Sequence, residues 1–158
     1  MRKSRIIPLG LALIILFLDQ YTKLYITSNF LHGETRPIIE NFFNLVYVKN
    51  DGAAWNILSG QRFLLIFISF LVLFFLLIKV DDIFLKTKFH NILFGLILGG
   101  IPGNLIDRIK YGWVIDFLDF QFGTYHYPSF NIADSAICLS VILYLFHQWF
   151  STKKVNKA

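Results

Sequence analysis

Three of the chain's ten carboxylates, Asp116, Asp119 and Asp134, fall in one short stretch of an otherwise apolar sequence. Asp116 lies in the alternating run Val114-Ile-Asp-Phe-Leu-Asp-Phe, and Asp134 opens the next hydrophobic segment, in Phe130-Asn-Ile-Ala-Asp134. Two carboxylates a few ångströms apart do not both ionise cheaply, so one keeps its proton. One can then activate water while the other protonates a leaving nitrogen, as amide hydrolysis requires. That chemistry calls for no metal and no cofactor. Strand parity puts Asp119 out of phase with Asp116, so the two acids point to opposite faces and do different jobs. Each acid also has a plainer reading: Asp116 or Asp119 as a solvated strand residue, and Asn131 and Asp134 as a helix N-cap and a first-turn acid.

Other hydrolytic chemistries lack their residues. There is no His-Glu-x-x-His and no Gly-x-Ser-x-Gly. Ser129 could partner Lys23 but has no local signature. His32, His90, His126 and His147 lack ligand spacing and read as structural or interfacial residues. The single Cys138, inside an apolar run, excludes an intramolecular disulfide and reads as a packing residue.

The elements that must position the acids are membrane spans. The 158 residues suit one domain, and their 56% hydrophobic content comes in blocks. Spans are expected at about 6–26, 63–80, 89–107 and 131–150. The first resembles a signal peptide, but Asp19-Gln-Tyr-Thr-Lys23 follows it instead of a cleavage site. Regions 28–61 and 108–130 lie between spans, with strands expected at Phe42–Val48 and Trp113–Phe120. Nine of the fifteen basic residues (Arg2, Lys3, Arg5, Lys79, Lys86, Lys88, Lys153, Lys154 and Lys157) fall at the termini and in the 79–88 turn. That bias places both termini in the cytoplasm and the long regions outside. The net charge of +5 is therefore a topology signal, and no basic stripe for nucleic acid appears.

Several polar residues sit where a span should be apolar. Asp19 and Lys23 are one helical turn apart, either as a pair that neutralises itself near the interface or as groups facing a wet site. Gly95, Gly99 and Gly103 recur every fourth residue and admit a neighbouring helix. Pro102 is expected to kink the span. Asn104 and Arg108 share a face. The guanidinium there could hold a carboxylate, a carbonyl or a lipid phosphate, or it could snorkel with Asp107 as its neighbour. Asn50-Asp-Gly signals a turn, and Trp55 suits the interface.

Five ordered motifs carry a resemblance over nearly the whole chain: Asp19-x-x-x-Lys23, Asn50-x-Gly-Ala-Ala-Trp55, Gly99-Gly-x-x-Gly-Asn-x-x-Asp-Arg108, Val114-x-Asp-Phe117 and Phe130-Asn-x-Ala-Asp134. Together they resemble bacterial prolipoprotein signal peptidase, or signal peptidase II. The resemblance implies an aspartyl endopeptidase that cuts prolipoproteins just before the diacylglyceryl-cysteine. Asp116 and Asp134 would be catalytic, with Asp19, Lys23, Asn50, Gly100, Asn104, Arg108, Asn131 and Ala133 as the supporting shell. It further implies an α-helical integral membrane protein of four transmembrane helices with a small extracytoplasmic β-sheet. The setting would be the bacterial cytoplasmic membrane, the site at its outer face, the partners lipidated substrate and phospholipid, and the inhibitor the cyclic peptide globomycin. A monomer is the simplest assembly. Pro102 departs from the family, where other small or aliphatic residues are usual. A proton-coupled transporter and a non-catalytic assembly subunit remain as readings, without a motif of their own.

Overall fold

The computed structural model describes residues 6–79 and 87–155, with side chains as far as 150. Most of the basic residues used for orientation (Arg2, Lys3, Arg5, Lys86 and Lys157, with the side chains of Lys153 and Lys154) lie outside the described residues, as does most of the 79–88 turn.

Four helices are described: α1 (Ile6–Asn29), α2 (Arg62–Ile78), α3 (Lys88–Lys110) and α4 (Ile132–Val155). They overlap the apolar segments at about 6–26, 63–80, 89–107 and 131–150. Among the described residues, α1, α3 and the first 19 residues of α4 are long and apolar enough to cross a membrane. α2 is apolar but shorter, at 17 residues. Ordinary chemistry sets the helix ends. Pro8 sits in the first turn of α1, where no N–H is missed. The Thr87 hydroxyl caps α3 by accepting from His90 N. At the other end of α3, Arg62 donates from Nε to Arg108 O and from Nη2 to Ile109 O, each at 2.8 Å. The first side chain of α2 thus holds the last carbonyls of α3, which a cation suits.

α3 is the central helix and packs against α1, α2 and α4. Its glycines explain how. A β-carbon on Gly95 would meet Pro8 O at 2.9 Å, and one on Gly99 would meet Ala12 O at 2.6 Å. One on Gly100 would meet Ala133 O at 2.7 Å. Gly95 and Gly99 thus bring α1 against the backbone of α3, and Gly100 does the same for α4. Pro102 lies inside α3, which continues on both sides of it.

The outward surface is greasy. Ile6, Leu13, Phe17 and Leu24 on α1, Phe63, Phe67 and Phe74 on α2, and Phe146 and Trp149 on α4 are all exposed. The charged residues Asp19, Lys23, Asp107 and Arg108 are buried. Apolar outside and charged inside is the distribution of a protein solvated by lipid.

Four antiparallel strands lie in the order β1 (Thr35–Ile39), β2 (Phe43–Asn50), β3 (Val114–Phe122) and β4 (Tyr125–His126). β2 and β3 are the two strands expected from the sequence; β1 and β4 were not foreseen. Pro37 in β1 is tolerated because that strand is an edge. Gly123 turns the β3–β4 hairpin with φ 64°. A bulge between Leu45 and Val48 shifts the β2–β3 register, bringing Val48 opposite Asp116. Ile115 and Phe117 pack on Ile26 and Phe30 at the end of α1, fixing the sheet to the bundle. Residue 116 is thereby turned to the other face.

Candidate active site

α4 begins with a reciprocal cap. The Asn131 side chain accepts from Asp134 N at 2.9 Å, and Asp134 Oδ2 accepts from Asn131 N at 3.2 Å. This is a capping box, with the acid at the third helical position. The next orphan amide, Ala133 N, donates to Asp19 Oδ1 at 2.9 Å. A carboxylate from α1 therefore helps to cap α4. Phe130 ties the same helix start to the sheet: Leu118 N donates to Phe130 O at 2.8 Å, and Phe130 N to Leu118 O at 3.1 Å. Asp116 and Asp134 are thus tied to one short piece of backbone.

Three asparagines aim their amides at these acids, and in each a donor-only partner fixes the orientation. Lys23 Nζ donates to Asn104 Oδ1 at 2.9 Å, which turns Asn104 Nδ2 onto Asp134 Oδ1 at 2.7 Å. Gly52 N donates to Asn50 Oδ1 at 3.0 Å, which turns Asn50 Nδ2 onto Asp116 Oδ2 at 2.9 Å. Asp134 N holds Asn131 Oδ1, and Asn131 Nδ2 reaches Asp116 Oδ1 at 2.7 Å. Every carboxylate oxygen of Asp116 and Asp134 therefore accepts a hydrogen bond.

Behind them lies an ion cluster. Lys23, 2% exposed, pairs with Asp19 at 2.8 Å and with Asp107 at 2.9 Å. Gln20 Nε2 donates to Asp107 Oδ1 at 3.0 Å, and Ile115 N to Asp107 Oδ2 at 3.2 Å. The Asp19–Lys23 pair exists, then, but as part of a buried network rather than an interfacial neutralisation. Gly103 makes room for it, since a β-carbon there would lie 2.6 Å from Asp19 Oδ2. Arg108 does not snorkel, and its sequence neighbour Asp107 has turned to α1. Arg108 is buried and donates from Nη2 to Gly52 O at 2.7 Å, fixing the turn that presents Asn50.

A cavity of about 600 Å³ opens over the acids and is lined by Asp116, Asp134, Asn50, Asn104 and Arg108. Asp19, Lys23, Gly100, Asn131 and Ala133 do not line it and stand behind as support. Burial, and then the neighbouring Asp134 charge, push the Asp116 carboxyl up to about 7 against the pull of Asn50 and Asn131. Near neutral pH such a group is half protonated, which suits proton transfer in either direction. Asp119 is neither solvated nor part of the pair. It is buried and accepts from Asn44 Nδ2 at 2.8 Å and from His126 Nδ1 at 2.9 Å.

Sequence reasoning did not single out Gln20 or Arg62 and took Asp107 only as a neighbour of Arg108. Asp107 carried the better signal, being three residues from Asn104 on a helix and hence on its face. Gln20 and Arg62 carried none, because the partners they reach on α3 are 83 and 87 residues away for Gln20 and 46 and 47 for Arg62.

A lipid-solvated helical bundle that holds two hydrogen-bonded carboxylates over one cavity defines a class, the helical membrane enzymes with a carboxylate pair. The family model described as signal peptidase (SPase) II matches residues 11–150. The chain belongs to that family. It is 43% identical over 152 residues to a lipoprotein signal peptidase of Syntrophus aciditrophicus, covering 90% of this chain and 91% of the relative. It is 38% identical over 148 residues to one of Bacillus pumilus, covering 94% and 96%. A solved bacterial membrane enzyme, obtained by the in meso method, superposes with a TM-score of 0.85 at 33% identity, covering 93% of this chain and 90% of that one. A second such structure gives 0.79 at 34% identity, covering 89% and 91%.

Proposed function

We propose that this chain is an aspartyl endopeptidase that removes the signal peptide from diacylglyceryl-modified prolipoproteins, cutting just before the lipidated cysteine. The observation that carries the reading is the shared cavity in which Asp116 and Asp134 meet, each held by oriented amides. With one proton between them, one carboxylate takes a proton from water as it attacks the scissile carbonyl. The other gives its proton to the departing nitrogen. The asparagine amides keep both groups in place through that exchange. The apolar helix faces leave the substrate's acyl chains in the bilayer, with its signal helix alongside the bundle. Four spans, cytoplasmic termini and an outward-facing site in the bacterial cytoplasmic membrane complete the reading. The protein works as a monomer, and globomycin competes for the cavity.

The test is a gel-shift cleavage assay on a lipidated precursor. Asp116→Asn and Asp134→Asn each abolish cleavage while folded protein still accumulates in the membrane, and chelators leave the wild type active. Normal processing by either variant, or metal-restored activity after chelation, defeats the reading.

A further inference from the structure

One wall of the cavity is the segment Tyr127-Pro128-Ser129-Phe130. Little backbone holds its leading end. β4 is two residues long, exposed, and paired on one side only, through Gln121↔His126 and Phe122↔Tyr125. One further bond, from Tyr127 N to Phe120 O at 2.8 Å, follows it. Two-stranded pairing of that length is marginal by itself.

A side-chain latch supplements it. Asp119 is 5% exposed, yet its carboxylate takes no part in the acid pair. It is anchored to β2 by Asn44 Nδ2 at 2.8 Å, and it accepts from His126 Nδ1 at 3.0 Å on Oδ1 and 2.9 Å on Oδ2. His126 is the residue directly before the wall. The His126 ring is half-exposed, but the carboxylate it meets is buried, and taking away one of that carboxylate's two donors carries a cost. The wall in turn carries Tyr127, whose ring meets the Trp55 ring edge-on at 6.3 Å and the Phe130 ring at 6.0 Å.

We propose that the Asn44–Asp119–His126 chain is a positioning device for the enzyme's substrate, locking the 127–130 wall in the shape that receives the precursor. It rests on the peptidase reading but adds residues outside the acid pair and its supporting shell. The acids have their own ties, through the capping box and the Phe130–Leu118 bridge. Loosening the latch therefore lowers the fraction of enzyme whose wall is competent to bind, and apparent affinity falls by that fraction while the chemical step is spared.

Because the contact is made by Nδ1, attached directly to Cγ, the conservative replacement is His126→Asn, whose amide nitrogen occupies the same place. The experiment measures KM and kcat separately on a lipidated precursor in detergent, with thermal midpoints recorded for every variant. His126→Ala raises KM about tenfold with kcat within about twofold of wild type. His126→Asn restores KM, and Asp119→Leu, which removes the acceptors of both Asn44 and His126 at similar size, resembles His126→Ala. If His126→Ala fails to fold, the Asn and Asp119 variants carry the comparison. An unchanged KM in His126→Ala, a fall in kcat alone, or an Asn variant as impaired as the Ala variant overturns the latch. Wild-type protein that does not cleave the precursor instead overturns the peptidase reading, so the two failures are distinguishable.

Discussion

Asp116 sits between two amide donors yet is pushed up to about 7, so burial and the Asp134 charge outweigh those hydrogen bonds. The consequence for rate follows from its proton. If the pair works with one proton, cleavage declines as pH rises above about 7, by about tenfold per unit once the proton is gone. A rate profile on one precursor checks it. For stability the sign is set by the raised value. The folded state binds the proton more tightly than an unfolded carboxylate of 3.8, so stability is lost as pH rises from about 4 to about 7. That loss is on the order of 1–4 kcal/mol. In Asp116→Asn this contribution disappears, so the pH dependence of its thermal midpoint is flatter than that of the wild type. Lys23 gives the second test at this scale. It is the cation between buried Asp19 and Asp107, and Lys23→Met leaves both without it. We expect destabilisation of about 3–5 kcal/mol, read as loss of folded protein in detergent, and partial recovery when Asp107→Asn is added.

At the scale of elements, the bundle depends on how closely backbones approach. A β-carbon on Gly103 would strike Asp19 Oδ2 at 2.6 Å, whereas one on Gly10 in α1 meets nothing within 4 Å. Gly103→Ala should therefore lower stability by about 1–3 kcal/mol and impair cleavage. Gly10→Ala should be neutral or stabilising by up to about 1 kcal/mol, by helix propensity alone. Thermal unfolding of the two variants side by side separates close approach from propensity. This contrast also marks what the sequence discloses. Asn131 and Asp134, Asp19 and Lys23, and the glycine repeat are legible because one helical turn puts them on one face. The strand in which Asp116 stands is legible from its alternation. The partners of Gln20, Arg62 and Asp119 depend on how helices rotate and which strands pair, and no local spacing encodes that. β1 and β4 escape for another reason: five and two residues give too little alternation to read.

For the whole molecule, the exposed apolar belt and the buried charges demand lipid around the helices and water over the cavity. Orientation is tested directly in a Cys138→Ala background, free of native thiols. A cysteine at exposed His32 should react with a membrane-impermeant maleimide added outside, and one at exposed Lys79 only after the membrane is permeabilised. Equal labelling of both from outside would contradict four spans with cytoplasmic termini.

The Asp19 carboxylate that caps α4 has a bearing on biosynthesis. α1 leaves the ribosome before α4, carrying its acid already neutralised by Lys23 one turn away, so it can enter the bilayer before that partner exists. The amide that Asp19 finally holds, Ala133 N, is translated 114 residues later. Until then the first helix keeps half of a joint whose other half has yet to be made. Activity must therefore wait for α4, and a nascent chain stalled before that helix would be inserted, stable in part, and catalytically silent.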